Sequence, residues 1–127
     1  LPYAHLLHFL QPKVLKSPPD WHNPDAASDH VEYPYYPTRA IAELRDLLDE
    51  MRAALPSIQV PVLLIHSRQD SGVPPKNAEQ IYSKLTVADK TIQYVENSGH
   101  VITREPDRQQ VFEAAAAFIQ RLSAAPV

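Results

Sequence analysis

Prolines divide this chain into two parts with different folding possibilities. Seven of its thirteen prolines lie in residues 1–37, together with six of its ten aromatic residues and four of its six histidines. A proline lacks the amide donor that a helix interior or a central strand requires, and it restricts the residue before it. Residues 1–37 are therefore expected to be largely irregular, with one short helix over residues 4–10.

A long amphipathic helix is predicted where the proline-rich part ends. Apolar residues recur there at three- and four-residue steps between charged ones, which is typical of a helix with one buried face. We expect Thr38 to cap this helix and Pro56 to follow its end, with Glu-to-Arg pairs on a solvated face. The apolar positions are Ile41, Leu44, Leu47, Leu48, Met51 and Leu55.

The second half of the chain predicts strands alternating with helices. Residues 62–65 are a continuous apolar run, typical of a fully buried strand in a parallel sheet. A helical stripe over residues 78–85 comes next, and residues 91–95 are rich in β-forming types. The strongest helical stripe spans residues 111–122, with Pro106 expected at the first position of that helix. This order predicts an α/β unit whose two parallel strands are joined by a right-handed crossover.

Composition excludes several kinds of site. The chain has no cysteine, which removes disulfides, thiolate zinc sites, iron–sulfur clusters and a cysteine nucleophile. It has two glycines, fewer than a Gly-rich nucleotide loop needs, and it contains no G-x-S-x-G nucleophile elbow. The formal net charge of −3 provides no concentrated basic face, so nucleic acid is not an expected partner.

The location of the protein is also an expectation from composition. The sequence begins at Leu1 rather than methionine, and it has neither a long apolar stretch nor a basic-then-apolar signal segment. We expect no membrane span. Since an oxidising compartment is not required, we expect a soluble, cytoplasmic piece of a longer polypeptide.

A side chain that can accept or donate a proton follows each predicted strand. Asp70 lies in the loop after the first strand, and His100 lies in the loop after the second. In parallel β-α-β units these loops share one sheet edge, and neighbouring strands lie about 4.8 Å apart, so the two side chains can meet. A carboxylate beside an imidazole fixes its tautomer and makes it a general base. The alternative is that Asp70 starts a turn and His100 is a polar residue after a Ser-Gly turn.

Both regions resemble the catalytic loops of α/β-hydrolases, specifically microbial carboxylesterases and monoacylglycerol lipases. The first is residues 61–74, PVLLIHSRQDSGVP, and the second is residues 97–103, NSGHVIT. They agree with the nucleophile, acid, histidine chain order of that fold. The resemblance implies that residues 58–127 are the C-terminal part of an α/β-hydrolase core, β-α-β-α with parallel strands. Residues 1–57 would be a mostly helical or irregular cap.

The resemblance also implies an activity, the hydrolysis of carboxylic esters by a serine hydrolase of the carboxylesterase or monoacylglycerol lipase type. Asp70 and His100 would supply the acid and base of a Ser-His-Asp triad without a cofactor. The nucleophile is expected upstream of Leu1, so the chain alone is expected to be inactive. Three local serines lie near the same sheet edge, but none is expected at a strained elbow: Ser67, Ser71 and Ser98.

Side chains of the cap are candidates for lining a pocket for an ester or monoacylglycerol. The expected substrate-binding residues are Leu7, Trp21 and Tyr33, and the alternative is that such residues pack a local core. A metal site is not expected, because no H-E-x-x-H or similar ligand spacing occurs. The polar residues that raise the question are His5, His8, His22, Asp25, Asp29 and His30.

A non-catalytic role is the competing interpretation. Two parallel strands alone leave both edges of a sheet open, which is a liability in an isolated chain. We therefore expect a partner, either the missing N-terminal half of the fold or a second copy joined through the open strand edge as a homodimer. The alternative function is a binding or assembly module derived from a hydrolase fragment.

Overall fold

The computed structural model describes residues 9–124 of the chain. The predicted helix over residues 4–10 falls mainly outside this range, and Leu7, His5 and His8 lie outside it. The described elements are β1 (Lys13–Leu15), α1 (Pro24–Asp29), β2 (Tyr35–Pro37), α2 (Thr38–Ala54), a 3₁₀ turn (Leu55–Ser57), β3 (Val62–Ser67), α3 (Lys76–Lys84), β4 (Lys90–Val95) and α4 (Arg108–Ser123).

β3 and β4 pair in parallel, as the strand and helix order predicted. Val62 lies opposite Lys90 at one end of the pair, and Ser67 lies opposite Val95 at the other. α3 forms the crossover and packs against both strands. Because the two strands end in register, the loops that follow them leave from the same edge of the sheet.

The side chains of β3 are less buried than predicted. Residues 62–66 are half-buried, and only Ser67 is fully buried. The reason is the small sheet: within residues 9–124, β3 has β4 as its single strand neighbour. A continuous apolar run indicates a strand covered on both faces, but this part of the chain supplies only part of the cover.

Residues 9–37 contain more strand than we predicted. β1 and β2 form a short antiparallel pair in which Val14 lies opposite Tyr36. Pro37, at the end of β2, lies opposite Lys13. A three-residue strand is too short to show an alternating pattern, so the sequence carried no signal for this pairing.

α2 begins at Thr38 and ends before Pro56, as predicted, but Thr38 does not cap it. Pro37 occupies the cap position and makes no side-chain cap bond. Thr38 is buried instead, and its hydroxyl donates a hydrogen bond to the carbonyl of Gln11. Its backbone N–H donates to the carbonyl of Pro12 at 2.9 Å. Thr38 therefore fastens the helix to the segment that leads into β1.

The last helix also begins differently from the prediction. Asp107 is at the cap position of α4, and Pro106 lies in the turn before it rather than at the first helical position. On the surface of α2 one pair of the predicted kind is present, Arg39 with Glu43, and Arg52 pairs with Asp49. No helix between residues 9 and 124 is both long enough and apolar enough to cross a membrane.

The buried apolar side chains of residues 9–124 lie mainly around the β-α-β unit. The larger ones are Leu55, Leu85, Val95 and Val111. Leu85 follows α3 directly, and its backbone N–H donates to the carbonyl of Ile81 at 3.2 Å. It therefore anchors the end of the crossover helix in the core.

Truncating Leu85 tests whether this small core stabilises the fold. Leu85 is 2% exposed, so Leu85→Ala is expected to lower the free energy of unfolding by about 2–5 kcal/mol, as a buried Leu-to-Ala change does. Val31, which is 93% exposed, is the control. Val31→Ala should change the free energy of unfolding by less than about 0.5 kcal/mol. Urea denaturation of both variants measures the difference, and equal stabilities would contradict this account of the core.

Candidate active site

The two loops at the shared sheet edge bring Asp70 and His100 together. The acid loop, residues 68–75, follows β3, and the histidine loop, residues 96–107, follows β4. Nδ1 of His100 lies 3.0 Å from Oδ2 of Asp70, which is hydrogen-bond distance. The Asp70 side chain is 5% exposed, whereas the His100 side chain is 50% exposed. A buried carboxylate therefore holds one side of a ring whose other side is accessible.

Asp70 also starts a turn, as the alternative interpretation of this residue expected. Its second oxygen, Oδ1, accepts a hydrogen bond from the backbone N–H of Val73 at 2.7 Å. This bond closes the turn that leads toward α3 and leaves Oδ2 directed at His100. The local turn is thus the means by which the carboxylate is aimed.

The hydrogen bond determines which ring nitrogen of His100 can act as a base. A carboxylate only accepts hydrogen bonds, so the proton between the two groups is carried by Nδ1. In a neutral imidazole Nε2 then has the free lone pair. The arrangement can take a proton at Nε2 and stabilise the resulting imidazolium through Asp70.

A cavity of about 520 Å³ lies beside the imidazole of His100. Lys16, Glu32 and Tyr36 line this cavity, and Nζ of Lys16 pairs with Glu32 at 2.7 Å and lies 4.7 Å from the centre of the Tyr36 ring. Trp21 also lines the cavity, and its ring centre lies 5.0 Å from that of His30.

The three expected substrate-binding residues are not all at this cavity. Trp21 lines it. Tyr33 is 85% exposed and borders a separate groove with Tyr35 and Pro37 instead. Leu7 lies outside the described residues. The structure therefore places Tyr33, two residues before β2, at a different groove from the cavity beside His100.

Asp20 is a site residue that sequence reasoning missed. Its Oδ1 accepts a hydrogen bond from the backbone N–H of His100 at 3.2 Å. Its Oδ2 accepts from both the N–H and the hydroxyl of Ser71, each at 2.8 Å. Asp20 is 80 residues from His100 in the sequence, and nothing near it indicated a partner in either loop.

A buried glutamate, also missed, holds the histidine loop from the other side. Glu105 is fully buried, and its Oε2 accepts hydrogen bonds from the backbone N–H groups of His22 and Gly99, both at 2.9 Å. Its Oε1 accepts from the N–H of Asn23 at 3.4 Å. Burying a carboxylate is costly unless hydrogen bonds compensate, and these three donors do so. They also fasten residues 22 and 23 to the histidine loop.

The local serines are used for structure. Ser67 and Ser98 are fully buried. The hydroxyl of Ser67 donates to the carbonyl of Ser98, and that of Ser98 donates to Oδ2 of Asp107 at 3.1 Å. The hydroxyl of Ser71 donates to Asp20. These hydroxyls therefore join the loops, and none lies on a strand-to-helix elbow.

Gly99 lies where the chain leaves no room for a side chain. A Cβ built on Gly99 would lie 2.0 Å from the backbone oxygen of Asp20, well inside van der Waals contact. The neighbouring Gly72 differs, since its Cβ would be 3.4 Å from Oδ1 of Asp70 and 3.7 Å from His100. Close backbone approach, rather than an unusual dihedral angle, is the requirement for glycine at position 99.

Two of the polar residues considered for a metal have other side-chain contacts, and His5 and His8 lie outside the described residues. Asp29 pairs with Arg104, and the His30 ring packs on Trp21. Between residues 9 and 124 there is no group of three or more His, Asp or Glu side chains placed to hold a metal ion.

The fold and the Asp–His pair at its sheet edge define part of an α/β-hydrolase. The chain belongs to the family described as serine aminopeptidase, S33, which matches residues 13–107. It is 29% identical over 91 residues to a carboxylesterase of Bacillus subtilis (strain 168), covering 72% of this chain and 37% of that protein. It is 31% identical over 102 residues to the thermostable monoacylglycerol lipase of Bacillus sp. (strain H-257), covering 80% of this chain and 40% of the lipase.

Solved structures show the same fold. A monoacylglycerol lipase from Paleococcus ferrophilus superposes with a TM-score of 0.72 at 24% identity, over 89% of this chain and 48% of the lipase. A structure from a study of LipS and LipT, two metagenome-derived lipolytic enzymes, gives 0.78 at 30% identity, over 95% of this chain and 50% of the other. The chain therefore spans about half the length of these two structures. It spans less than half the length of the two sequence relatives.

Acidification tests the role of Asp20 in holding the loops. Partial burial acts to raise the pKa of Asp20, but hydrogen bonds from Ser71 and from the N–H of His100 outweigh it and lower the pKa below the ordinary 3.8. A lowered folded-state pKa contributes stability above pH 3.8 that is lost as the pH falls through the folded-state value. The stability difference between the wild type and Asp20→Asn, followed by urea denaturation, should be constant near neutral pH and shrink below pH 3.8. A difference that grows on acidification would contradict this.

Alanine at the two glycines tests the close approach at position 99. Gly99→Ala forces the backbone apart and is expected to destabilise the protein by about 1–3 kcal/mol, as overpacking does. Gly72→Ala makes ordinary contacts and should change the stability by less than about 0.5 kcal/mol. Thermal unfolding of both variants measures the difference, and an unchanged midpoint for Gly99→Ala would show that the loop does not pack against Asp20 as described.

Proposed function

We propose that the protein containing this chain hydrolyses carboxylic esters through a Ser-His-Asp triad, with His100 as the base and Asp70 as the acid. The observation that carries this proposal is the 3.0 Å hydrogen bond between Nδ1 of His100 and Oδ2 of Asp70 at the shared sheet edge. Membership of a serine hydrolase family supports it. Two relatives named as a carboxylesterase and a monoacylglycerol lipase favour ester or monoacylglycerol substrates.

The proposed reaction begins with proton transfer to His100. Nε2 takes the proton of the serine hydroxyl as the serine oxygen bonds to the ester carbonyl carbon. Nε2 then donates this proton to the alcohol oxygen as the carbon–oxygen bond to the alcohol breaks. In the second half of the reaction Nε2 takes a proton from water as the water oxygen bonds to the acyl carbon of the acyl-serine. Nε2 then returns this proton to the serine oxygen as the acyl–serine bond breaks, and the carboxylic acid product is released. Throughout, Asp70 keeps Nδ1 protonated and stabilises the imidazolium.

We propose that the serine nucleophile lies in a segment that precedes Leu1. The sequence has no G-x-S-x-G elbow, and the chain covers 37% and 40% of the two relatives. In α/β-hydrolases the nucleophile comes before the acid and the histidine in the chain. The chain alone should consequently be inactive toward esters, which stays a prediction, as does a cytoplasmic location.

Residues 1–57 are proposed to form a cap, with residues 58–127 forming the core. The hydrogen bonds from the backbone N–H groups of His22 and Asn23 to Glu105 support this, because they join these two residues to the histidine loop. Trp21, on the cavity wall beside His100, is the residue we propose to contact the substrate.

Pairing with the missing half of the core is the proposed reason for the exposed apolar surface of this chain. Half or more of the surface of Leu44, Leu47 and Ile119 is exposed, and β3 is only half-buried. An α/β-hydrolase sheet continued by further strands and helices would cover this surface. One alternative is a second copy of the chain joined through the strand edge, and another is a non-catalytic assembly role. Measurements of ester hydrolysis decide between a catalytic and a non-catalytic role.

Removing His100 tests the proposed triad. In the full-length protein, His100→Ala should lower kcat by roughly 10³-fold or more, and Asp70→Asn by roughly 10⁴-fold, because each disables the triad as a unit. Hydrolysis of a short-chain nitrophenyl ester measures both. His22→Ala is the matched control, since the exposed ring can be removed while its backbone bond to Glu105 stays. Near-normal turnover by His100→Ala would sink the assignment.

A further inference from the structure

We infer that Asp20 is a positioning residue, which sets the placement of His100 relative to Asp70 in the ester hydrolysis proposed above, on which this inference rests. Asp20 lies outside the β-α-β unit, in the segment between β1 and α1. It contacts the backbone of both catalytic loops, yet its carboxylate does not belong to the proposed triad.

A single carboxylate bridges the two loops. Oδ1 of Asp20 accepts from the N–H of His100 at 3.2 Å, and Oδ2 accepts from the N–H of Ser71 at 2.8 Å. Ser71 is the residue directly after Asp70. Each oxygen therefore fixes the backbone at, or next to, one partner of the Asp70–His100 hydrogen bond.

The packing at Gly99 shows that the histidine loop is shaped around Asp20. The position of a Cβ at residue 99 is 2.0 Å from the backbone oxygen of Asp20 and 3.1 Å from its Cγ. The residue before His100 thus lies against Asp20 with no space between them. The side-chain hydrogen bond to His100 and the backbone packing at Gly99 are thus two independent contacts that place Asp20 against the histidine loop.

The segment that carries Asp20 is also held without its carboxylate. Glu105, fully buried, joins the N–H of His22 to the N–H of Gly99, and the side-chain amide of Asn23 donates to the carbonyl of Arg104 at 2.8 Å. A change confined to the Asp20 side chain should therefore leave the segment docked. This separates positioning of His100 from folding of the loop.

The expected effect is on turnover rather than on substrate binding. Asp20 holds backbone groups, and a displacement of a catalytic group by about 1 Å can reduce the rate about 10²-fold. Alanine at position 20 removes all three hydrogen bonds that the Asp20 carboxylate accepts, whereas asparagine has the same shape and keeps one acceptor oxygen. The other oxygen becomes an NH₂ group, which cannot accept a hydrogen bond, so Asp20→Asn keeps only part of the arrangement.

The test uses the full-length protein with Asp20→Ala, Asp20→Asn and, as the matched charge-removal control, Asp25→Asn. Asp25 is an exposed aspartate in the first turn of α1, five residues after Asp20. With a short-chain nitrophenyl ester, we expect kcat to fall about 100-fold in Asp20→Ala and about 10-fold in Asp20→Asn, with KM within about twofold. Asp25→Asn should match the wild type, and thermal midpoints are measured for every variant.

Several outcomes would overturn the inference. Wild-type kcat in folded Asp20→Asn and Asp20→Ala would do so, and so would a change confined to KM, which would make Asp20 a substrate contact. If Asp20→Ala does not fold, Asp20→Asn alone decides the test, and a wild-type kcat in this variant overturns the inference. Activity in His100→Ala would defeat the proposed function itself, whereas an inactive His100→Ala beside fully active Asp20 variants would defeat only the role of Asp20.

Discussion

The parallel pairing of β3 and β4 is the constraint on which the rest of the structure depends. Its register places Ser67 beside Val95, so both strands end at one level. The acid loop and the histidine loop consequently leave the sheet side by side, and the distance between them is that of neighbouring strands. Without this register the 3.0 Å contact between Asp70 and His100 would have no scaffold. The crossover through α3 enforces the parallel direction.

Acidic side chains hold the histidine loop in place beyond the end of the sheet. The histidine loop has no regular structure, so its backbone N–H groups need partners from elsewhere. Asp107 accepts from the N–H of Asn97 at 2.7 Å, and Glu105 and Asp20 accept from those of Gly99 and His100. Three acidic side chains thus bind the four consecutive residues 97–100, three of them through backbone N–H groups and Ser98 through its hydroxyl. Charge-assisted bonds of this kind are stronger than neutral ones, which suits a loop that must hold an imidazole in one orientation.

The same bonds connect the first part of the chain to the site. Asp20 and the N–H groups of His22 and Asn23 belong to a proline-rich segment with little regular structure of its own. This segment is ordered by docking on the histidine loop rather than by local propensity. Its attachment also brings Trp21 to the cavity beside His100, which joins the proposed cap to the proposed chemistry through backbone hydrogen bonds.

The sequence by itself determined the elements whose signal is local. Apolar periodicity located α2, β3, α3, β4 and α4 to within a few residues, and the strand order placed Asp70 and His100 at one edge. Only the tertiary structure decided the β1–β2 pairing, the use of Thr38 as a tie to Gln11, and the roles of Asp20 and Glu105. The physical reason is sequence separation. Asp20 and Glu105 bind backbone N–H groups about 80 residues away, and a backbone donor carries no mark in the sequence that would reveal its partner.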